Sequence, residues 1–455
     1  MKKRILIALL ILSVVSVIAL IFSRFKTSPL ICDPLETICF NDDETINYNE
    51  QSLVIAVETQ NQKDYLSSVL QPVLENTTGT VSIIVRESTS AFTFMNSPID
   101  IALVDKQAAG SLYPYLHRFD QEEVNPYFID YASKHLDEIN YDGVAFIPAT
   151  IDGPFFVMNT TLLSRLGYDI TDVDEHGRLN ALNSFEEIMS EGDRLRANRP
   201  LVGARRLTSL FPLTLVEPWS LYSFLTPNGW NMYPTNDAYD HGLDAPLFKE
   251  ALELFEPLLS YEWDLTGQNQ TQWRYESELV SGTAPFAIKV PFLNLEAISS
   301  VTRQNYVVTP MPTMDGRQPY TLAQVKGWVF KSTASPALRQ LVMEQLTSYN
   351  FTQLLLLEDR EAVMIDPSRV NEFKVSDLQK QKILAAQFTL SPPLFALPHF
   401  PSVLGFDFYT QGELLPIFED LQTQTLTPAQ AQEAILKAYD RWVIERTYYE
   451  TQPNP

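Results

Sequence analysis

Between Ser52 and Val104 the chain alternates in a way that leaves few folds open to it. Ser52-Leu53-Val54-Ile55-Ala56-Val57 is a short apolar run of strand length. Lys63 to Glu75 carries Leu66, Val69, Leu70, Val73 and Leu74 on one helical face, and Val81 to Val85 and Ile99 to Val104 are again short apolar runs. Gln107 to Tyr115 begins a further helix or loop. Parallel strands need crossover connections, so a strand–helix–strand–helix–strand series predicts a parallel sheet with helices on its faces.

The same alternation continues through a chain of 455 residues, more than one hydrophobic core organises, so two or three lobes are expected. Tyr141-Asp142-Gly143 reads as a turn before the run Val144 to Pro148, and Phe155 to Asn159 as a strand. Ser184 followed by Glu187 has the spacing of a capping box that opens a helix. Pro246 to Leu259 is strongly amphipathic, a helix ends at Gly282, and Ala284 to Ile288, Tyr306 to Val308 and Gly327 to Phe330 are strand-like. Leu338 to Leu357 and Pro428 to Thr447 are expected helices. No internal repeat or low-complexity stretch interrupts the series.

The N-terminus is set apart from the fold. Met1-Lys2-Lys3-Arg4 is cationic, and Ile5 to Phe22 is a run of 18 uncharged, mostly apolar residues followed by Arg24 and Lys26. A spanning helix needs about 17–25 residues, a secretory apolar region about 7–15. The run therefore predicts an N-terminal signal anchor over 1–22 in the cell membrane, or a cleaved signal, with the cationic end in the cytoplasm and the body outside. Residues 23–50 are polar and acidic, as a tether would be. The two cysteines, Cys32 and Cys39, fall in this stretch. In an exported chain they can pair; two free thiols, or lipid attachment at Cys32, are the alternatives, although Ile31 is not the small residue a lipidation site has there. With 33 basic against 56 acidic residues the formal charge is −23, which repels phosphate backbones and makes nucleic acid a poor partner. No motif for a metal, cofactor or activated nucleophile is present, so no cofactor is expected and catalysis is not.

Several cassettes carry a family likeness. Asn76-Thr77-Thr78-Gly79-Thr80-Val81, Pro98-Ile99-Asp100-Ile101, Tyr141-Asp142-Gly143 through Met158-Asn159, Glu217-Pro218-Trp219 with Gly229-Trp230, Gly282-Thr283-Ala284-Pro285-Phe286-Ala287 through Pro291-Phe292, and Leu426 to Ala431 with Trp442 stand in one order from Ser52 to Trp442. In that order the chain resembles the maltose/maltodextrin-binding branch of the extracellular solute-binding proteins. The resemblance implies an α/β, two-lobed periplasmic-binding-protein-like fold with several hinge crossovers. They would lie near Thr150, near Thr309-Pro310 and around Gln345 to Asn350. Lobe 1 would then comprise 51–150 with 310–347, and lobe 2 would comprise 151–309 with 348–447, leaving 448–455 as a tail. It also implies a monomer that binds a small-molecule sugar between the lobes and delivers it to ABC importer permease subunits.

A sugar site wants carboxylates and amides beside flat aromatics. By cassette, Asp105 and Lys106 match a strand-end Asp-Arg pair, with a solvated ion pair as the plain alternative. Asp152 matches a cleft carboxylate, or caps a loop. Glu217 and Trp219 match an acceptor and a stacking ring, and Phe292 stands where a stacking Trp is usual. Trp230 lines the cleft or supports it from the core. Thr59-Gln60-Asn61-Gln62 replaces charged contacts with neutral ones, so Gln60 and Asn61 join the candidates. These departures leave an uncharged sugar as the expected ligand, with a polyamine or peptide receptor, or a sensing or structural surface protein, as the rival readings.

Overall fold

The computed structural model of the chain describes residues 31–32, 38–41, 45–120, 144–198, 201–202, 205–207, 211, 221–232, 241–260, 279, 281–289, 294–321, 324–359, 362–363, 367–389, 408 and 414–451. The apolar run Ile5 to Phe22 lies outside these residues. Among those described, no helix is long and apolar enough to cross a membrane.

Order begins earlier than the acidic composition of 23–50 suggests. β1 (Ile31–Cys32) and β2 (Cys39–Phe40) pair antiparallel with Cys32 opposite Cys39, the other cysteine of the chain, and Cys39 is disulfide-bonded. Ile38 and Asn47 are buried. The Asn49 side chain accepts from the Thr78 amide at 3.0 Å, and the Glu50 amide donates to the Thr78 hydroxyl at 2.8 Å. The last part of the expected tether is thus packed against the body.

The predicted alternation follows as β3 (Ser52–Val57), α1 (Gln60–Leu74), β4 (Thr80–Val85), α2 (Ala91–Met95), β5 (Ile101–Asp105) and α3 (Lys106–Leu112). β6 (Ile147–Asp152) returns to the same sheet, and the chain then turns through Gly153-Pro154 into β7 (Phe155–Asn159) of a second one. Next come α4 (Thr160–Arg165), α5 (Phe185–Asn198), the short hairpin β8 (Leu201–Val202) and β9 (Arg205–Arg206), α6 (Pro246–Ser260), β10 (Phe286–Lys289), α7 (Leu295–Thr302) and β11 (Tyr306–Thr309). The chain re-enters the first sheet as β12 (Gln324–Phe330), continues through α8 (Pro336–Leu346), α9 (Tyr349–Asp359) and β13 (Ala362–Val363), and ends with α10 (Asp377–Thr389), α11 (Leu415–Gln422) and α12 (Pro428–Thr451).

The larger sheet has the order β13-β6-β12-β5-β3-β4, the smaller β10-β7-β11. β3, β4 and β5 are parallel, as the crossovers require, while β12 runs antiparallel between β5 and β6. Around the larger sheet the core comprises Ile55, Leu66, Ile101, Trp328 and Leu338 among others. The small sheet is apolar on both faces: Phe155 and Val157 join that core, while Phe156 and Met158 join a second one with Phe185, Phe224 and Phe255. Phe156 stacks on Phe286 at 5.2 Å and Phe224 on Phe255 at 5.6 Å. Each such side chain stabilises the fold by about 1.5–3 kcal/mol through burial.

Local signals act where the sequence places them. Ser184 and Glu187 make the reciprocal capping box, each backbone amide donating to the other's side chain at 3.2 Å. The single helix expected over Leu338 to Leu357 is broken at Thr347-Ser348, where the Ser348 hydroxyl accepts from the Phe351 amide at 3.2 Å and starts α9. α9 still packs on α1, with Phe351 5.7 Å from Tyr65, and β13 pairs with β6. The chain is thus still paired into the larger sheet at Ala362 and Val363.

Two consequences are measurable. A Cβ at Gly327 would lie 2.6 Å from the Ile147 carbonyl oxygen and would collide with the Phe146 ring. Gly327→Ala should cost about 1–3 kcal/mol by overpacking, read as a lower urea midpoint at unchanged slope. Burial, with Arg339 nearby, pushes the His117 imidazole down to about 4. Below its ordinary value near 6.5 only the unfolded chain takes up this proton, so stability falls as pH drops from about 6.5 to about 4. Relative to His117→Asn, the native chain should lose on the order of 1 kcal/mol across that window, after allowance for partial solvent screening.

Candidate functional site

Four strands of the larger sheet meet one edge with polar residues. β3 runs into Glu58, β5 ends on Asp105 and β6 on Asp152, while antiparallel β12 begins there at Gln324. Asp105 and Thr150 flank Lys326 in register, and Asp152 pairs with Gln324. The register slips between Lys326, opposite Thr150, and Gly327, opposite Pro148, so that Ala149 is an extra residue on β6. A bulge of this kind bends the strand and re-aims its side chains. Pro148 has no amide to offer the ladder, and Gly327 lets the two backbones approach, so both residues suit the position.

The row is held by charge-assisted and neutral hydrogen bonds. Lys326 Nζ lies 3.2 Å from Glu58 Oε1, with the side chains 29% and 13% exposed. The Glu58 amide donates to Gln62 Oε1 at 3.0 Å, and Gln62 is fully buried. Thr59 caps α1, accepting from the Gln62 amide at 3.2 Å, while its hydroxyl donates to Glu358 Oε2 of α9 at 2.7 Å. Thr150 is 1% exposed, and its hydroxyl has no partner among the described residues. Gln62 Nε2, Trp328 Nε1 and Glu358 Oε1 are likewise buried and unpartnered. A buried polar atom left without a partner costs about 1–3 kcal/mol, so such atoms favour an environment that supplies one.

The residues singled out from sequence fall into three groups. Asp105 is exposed at the N-cap position of α3 and makes no side-chain cap bond, so its carboxylate faces outward at the strand end. Lys106 follows it as the first residue of α3, and Asp152 closes β6 beside Gln324. These three share the edge. Gln60 and Asn61 belong to the first turn of α1 rather than to a loop, and Gln60 Nε2 donates to Asp64 at 2.6 Å. Trp230 lies in the second core, 2% exposed: its indole donates to the Gly242 carbonyl at 2.7 Å, and its ring packs on Phe248 at 4.6 Å and Tyr222 at 5.4 Å. Glu217, Trp219 and Phe292 lie outside the described residues. Sequence reasoning did not find Glu58, Thr150, Lys326 or Glu358. Lys326 stands one residue ahead of the expected strand Gly327 to Phe330, and Glu358 meets Thr59 only through the packing of α9 on α1.

A groove of about 340 Å³ lies elsewhere, between α1 and the outer strand β4, lined by Leu70, Leu74, Thr80 and Ile83. It touches none of the row. Among the described residues, no group of three His, Cys, Asp or Glu side chains is placed to hold a metal ion.

No protein-family model matches the chain, and no curated protein matches it by sequence. Solved structures do. The maltose-binding periplasmic protein MalE of Listeria monocytogenes, in complex with maltose, superposes with a TM-score of 0.65 at 16% identity, covering 89% of this chain and all of that one. An extracellular solute-binding protein of Staphylococcus aureus, in complex with maltose, gives 0.65 at 15% identity over 86% of this chain and 98% of its own. A cyclo/maltodextrin-binding protein complexed with maltotetraose gives 0.66 at 15% identity over 86% and 96%. The chain has the two-lobed fold of these maltodextrin-binding proteins. Its neighbours are binding proteins rather than enzymes.

In that fold the polar edge consists of strand ends, where open α/β sheets present residues to ligand. Across the strands the row runs from the dual-purpose hydroxyl of Thr150 through the donor Lys326 to the acceptors Asp105 and Glu58, a mixture that suits groups that both give and take hydrogen bonds. Thr59→Val removes a helix cap and the bond to Glu358 together. It should lower the unfolding free energy by about 1–2 kcal/mol in urea titrations, with the loss lessened when Glu358 is already Gln.

Proposed function

We propose that this chain is the extracytoplasmic substrate-binding protein of an ABC importer, which takes an uncharged di- or oligosaccharide between its lobes and delivers it to the membrane permease. The observation that carries this reading is the mixed donor–acceptor row Glu58, Asp105, Lys326 and Thr150, set on strand ends in a fold whose solved neighbours hold maltose and maltotetraose. The apolar run Ile5 to Phe22 supports an anchored form, with the disulfide-bonded hairpin and the body on the oxidising side of the membrane. Glu217, Trp219 and Phe292 remain part of the proposal as the second side of the cleft, supplying an acceptor and the ring faces that stack on sugar.

A thermal-shift screen of the full chain in detergent tests the reading, using mono-, di- and oligosaccharides with spermidine and a short peptide as controls. A ligand at about 100 times its dissociation constant adds about 2.7 kcal/mol, enough to raise the midpoint by a few degrees. The expected result is a shift with an oligosaccharide that is lost in Asp105→Ala and in Trp219→Ala. No shift with any sugar would overturn the transport reading in favour of a surface protein that kept the fold without its ligand.

A further inference from the structure

The position of Lys326 has no counterpart in the motifs read from sequence, and its surroundings give it a specific task. It stands at the centre of the polar edge, in register with Asp105 on one side and Thr150 on the other. Its ammonium group is 3.2 Å from Glu58. The bulge opposite it and the close approach at Gly327 fix the backbone from which it projects. Beside it, the Thr150 hydroxyl is buried and has no partner among the described residues. Glu358 adds a third carboxylate at this end, tied in place by Thr59.

We propose that Lys326 is the specificity-determining residue of the row, the group that restricts it to uncharged polyhydroxyl ligands and turns polyamines away. This inference rests on the receptor reading above. The three carboxylates nearest it, Glu58, Asp105 and Glu358, would by themselves draw in cations. A lysine at their centre repels a ligand ammonium at contact distance, and the surrounding acids repel a ligand carboxylate or phosphate. A hydroxyl carries no charge and can donate to a carboxylate while accepting from the ammonium or from Thr150, so neighbouring sugar hydroxyls satisfy the row where charged groups do not. Discrimination then arises as much from repulsion of the wrong ligand as from attraction of the right one.

Isothermal titration of the full chain in detergent with maltose, maltotriose and spermidine tests this, comparing the native protein with Lys326→Met and Lys326→Arg. The native chain should bind a sugar and give no measurable heat with spermidine. Lys326→Met should weaken sugar binding about 10–100-fold, the usual cost of losing a hydrogen bond to a charged group, and should acquire spermidine binding. Lys326→Arg keeps the charge and should keep the exclusion of spermidine, even where sugar affinity drops. A purely structural lysine would lower the melting temperature of Lys326→Met and leave the ranking of ligands unchanged, which would overturn the inference while the receptor reading stands. Unchanged sugar affinity in Lys326→Met would do the same. Spermidine binding by the native chain would overturn the inference outright. A native chain that binds no sugar removes the receptor reading and this inference with it.

Discussion

The insertion of β12 between β5 and β6 is the constraint on which the rest of the structure depends. This strand enters the sheet only after the chain has completed β7, β10 and β11 elsewhere, so its pairing joins segments some 170 to 230 residues apart in sequence. Loop-closure entropy opposes such a pairing, and only the burial that follows repays it: Trp328, Val329 and Phe330 are all nearly or fully removed from water. Once β12 is seated, the edges of β3, β5 and β6 become one surface. Without it, Asp105 and Thr150 would lie at the margins of two separate fragments.

The bulge at Ala149 is the local form of the same constraint. β6 must pair with β12 on one side and with β13 on the other, and Pro148 cannot supply its share of the ladder. Slipping one residue resolves the conflict and leaves Thr150 and Lys326 side by side at the edge. Phe146 then crosses over Gly327, so that this glycine is required by space rather than by its backbone angles. Packing on one face of the sheet thus determines which polar groups stand together at its end, where Thr150, Gln62 and Glu358 each keep a buried polar atom without a partner among the described residues.

Much of the fold was legible in the sequence because it is written in short-range signals. The period of Leu66, Leu70 and Leu74, the β-branched run at Val81 and the Ser184–Glu187 capping box each depend on residues within a few positions of one another, and each formed as expected. The site was legible only in part. Asp105 and Asp152 were legible as strand-end acids because they close strands whose apolar pattern is clear. Glu58 and Lys326 were not, because nothing local in VETQ or QVKG distinguishes an ion pair from two solvated charges; their meeting requires the register of β12 against β5. Trp230 carries the opposite lesson. A tryptophan beside a Gly turn reads equally well as a stacking platform or as core, and its indole hydrogen bond to Gly242, formed across a loop, decides for the core.

The topology shared with maltose-binding neighbours does not carry their side chains with it. At low identity the strand order, the crossovers and the open edge persist because they are set by burial and chain connectivity, which many apolar residues satisfy equally well. Ligand contacts have no such freedom: a hydroxyl is recognised by a particular donor and acceptor at hydrogen-bond distance. A neutral first turn on α1, with Gln60 bonded to Asp64 and Gln62 buried beneath Glu58, removes charge from one part of the edge. Charge returns just ahead of that turn, where Glu58 pairs with Lys326 of β12. At this edge a lysine stands in register beside an aspartate and pairs with a glutamate, so the row holds a donor among acceptors.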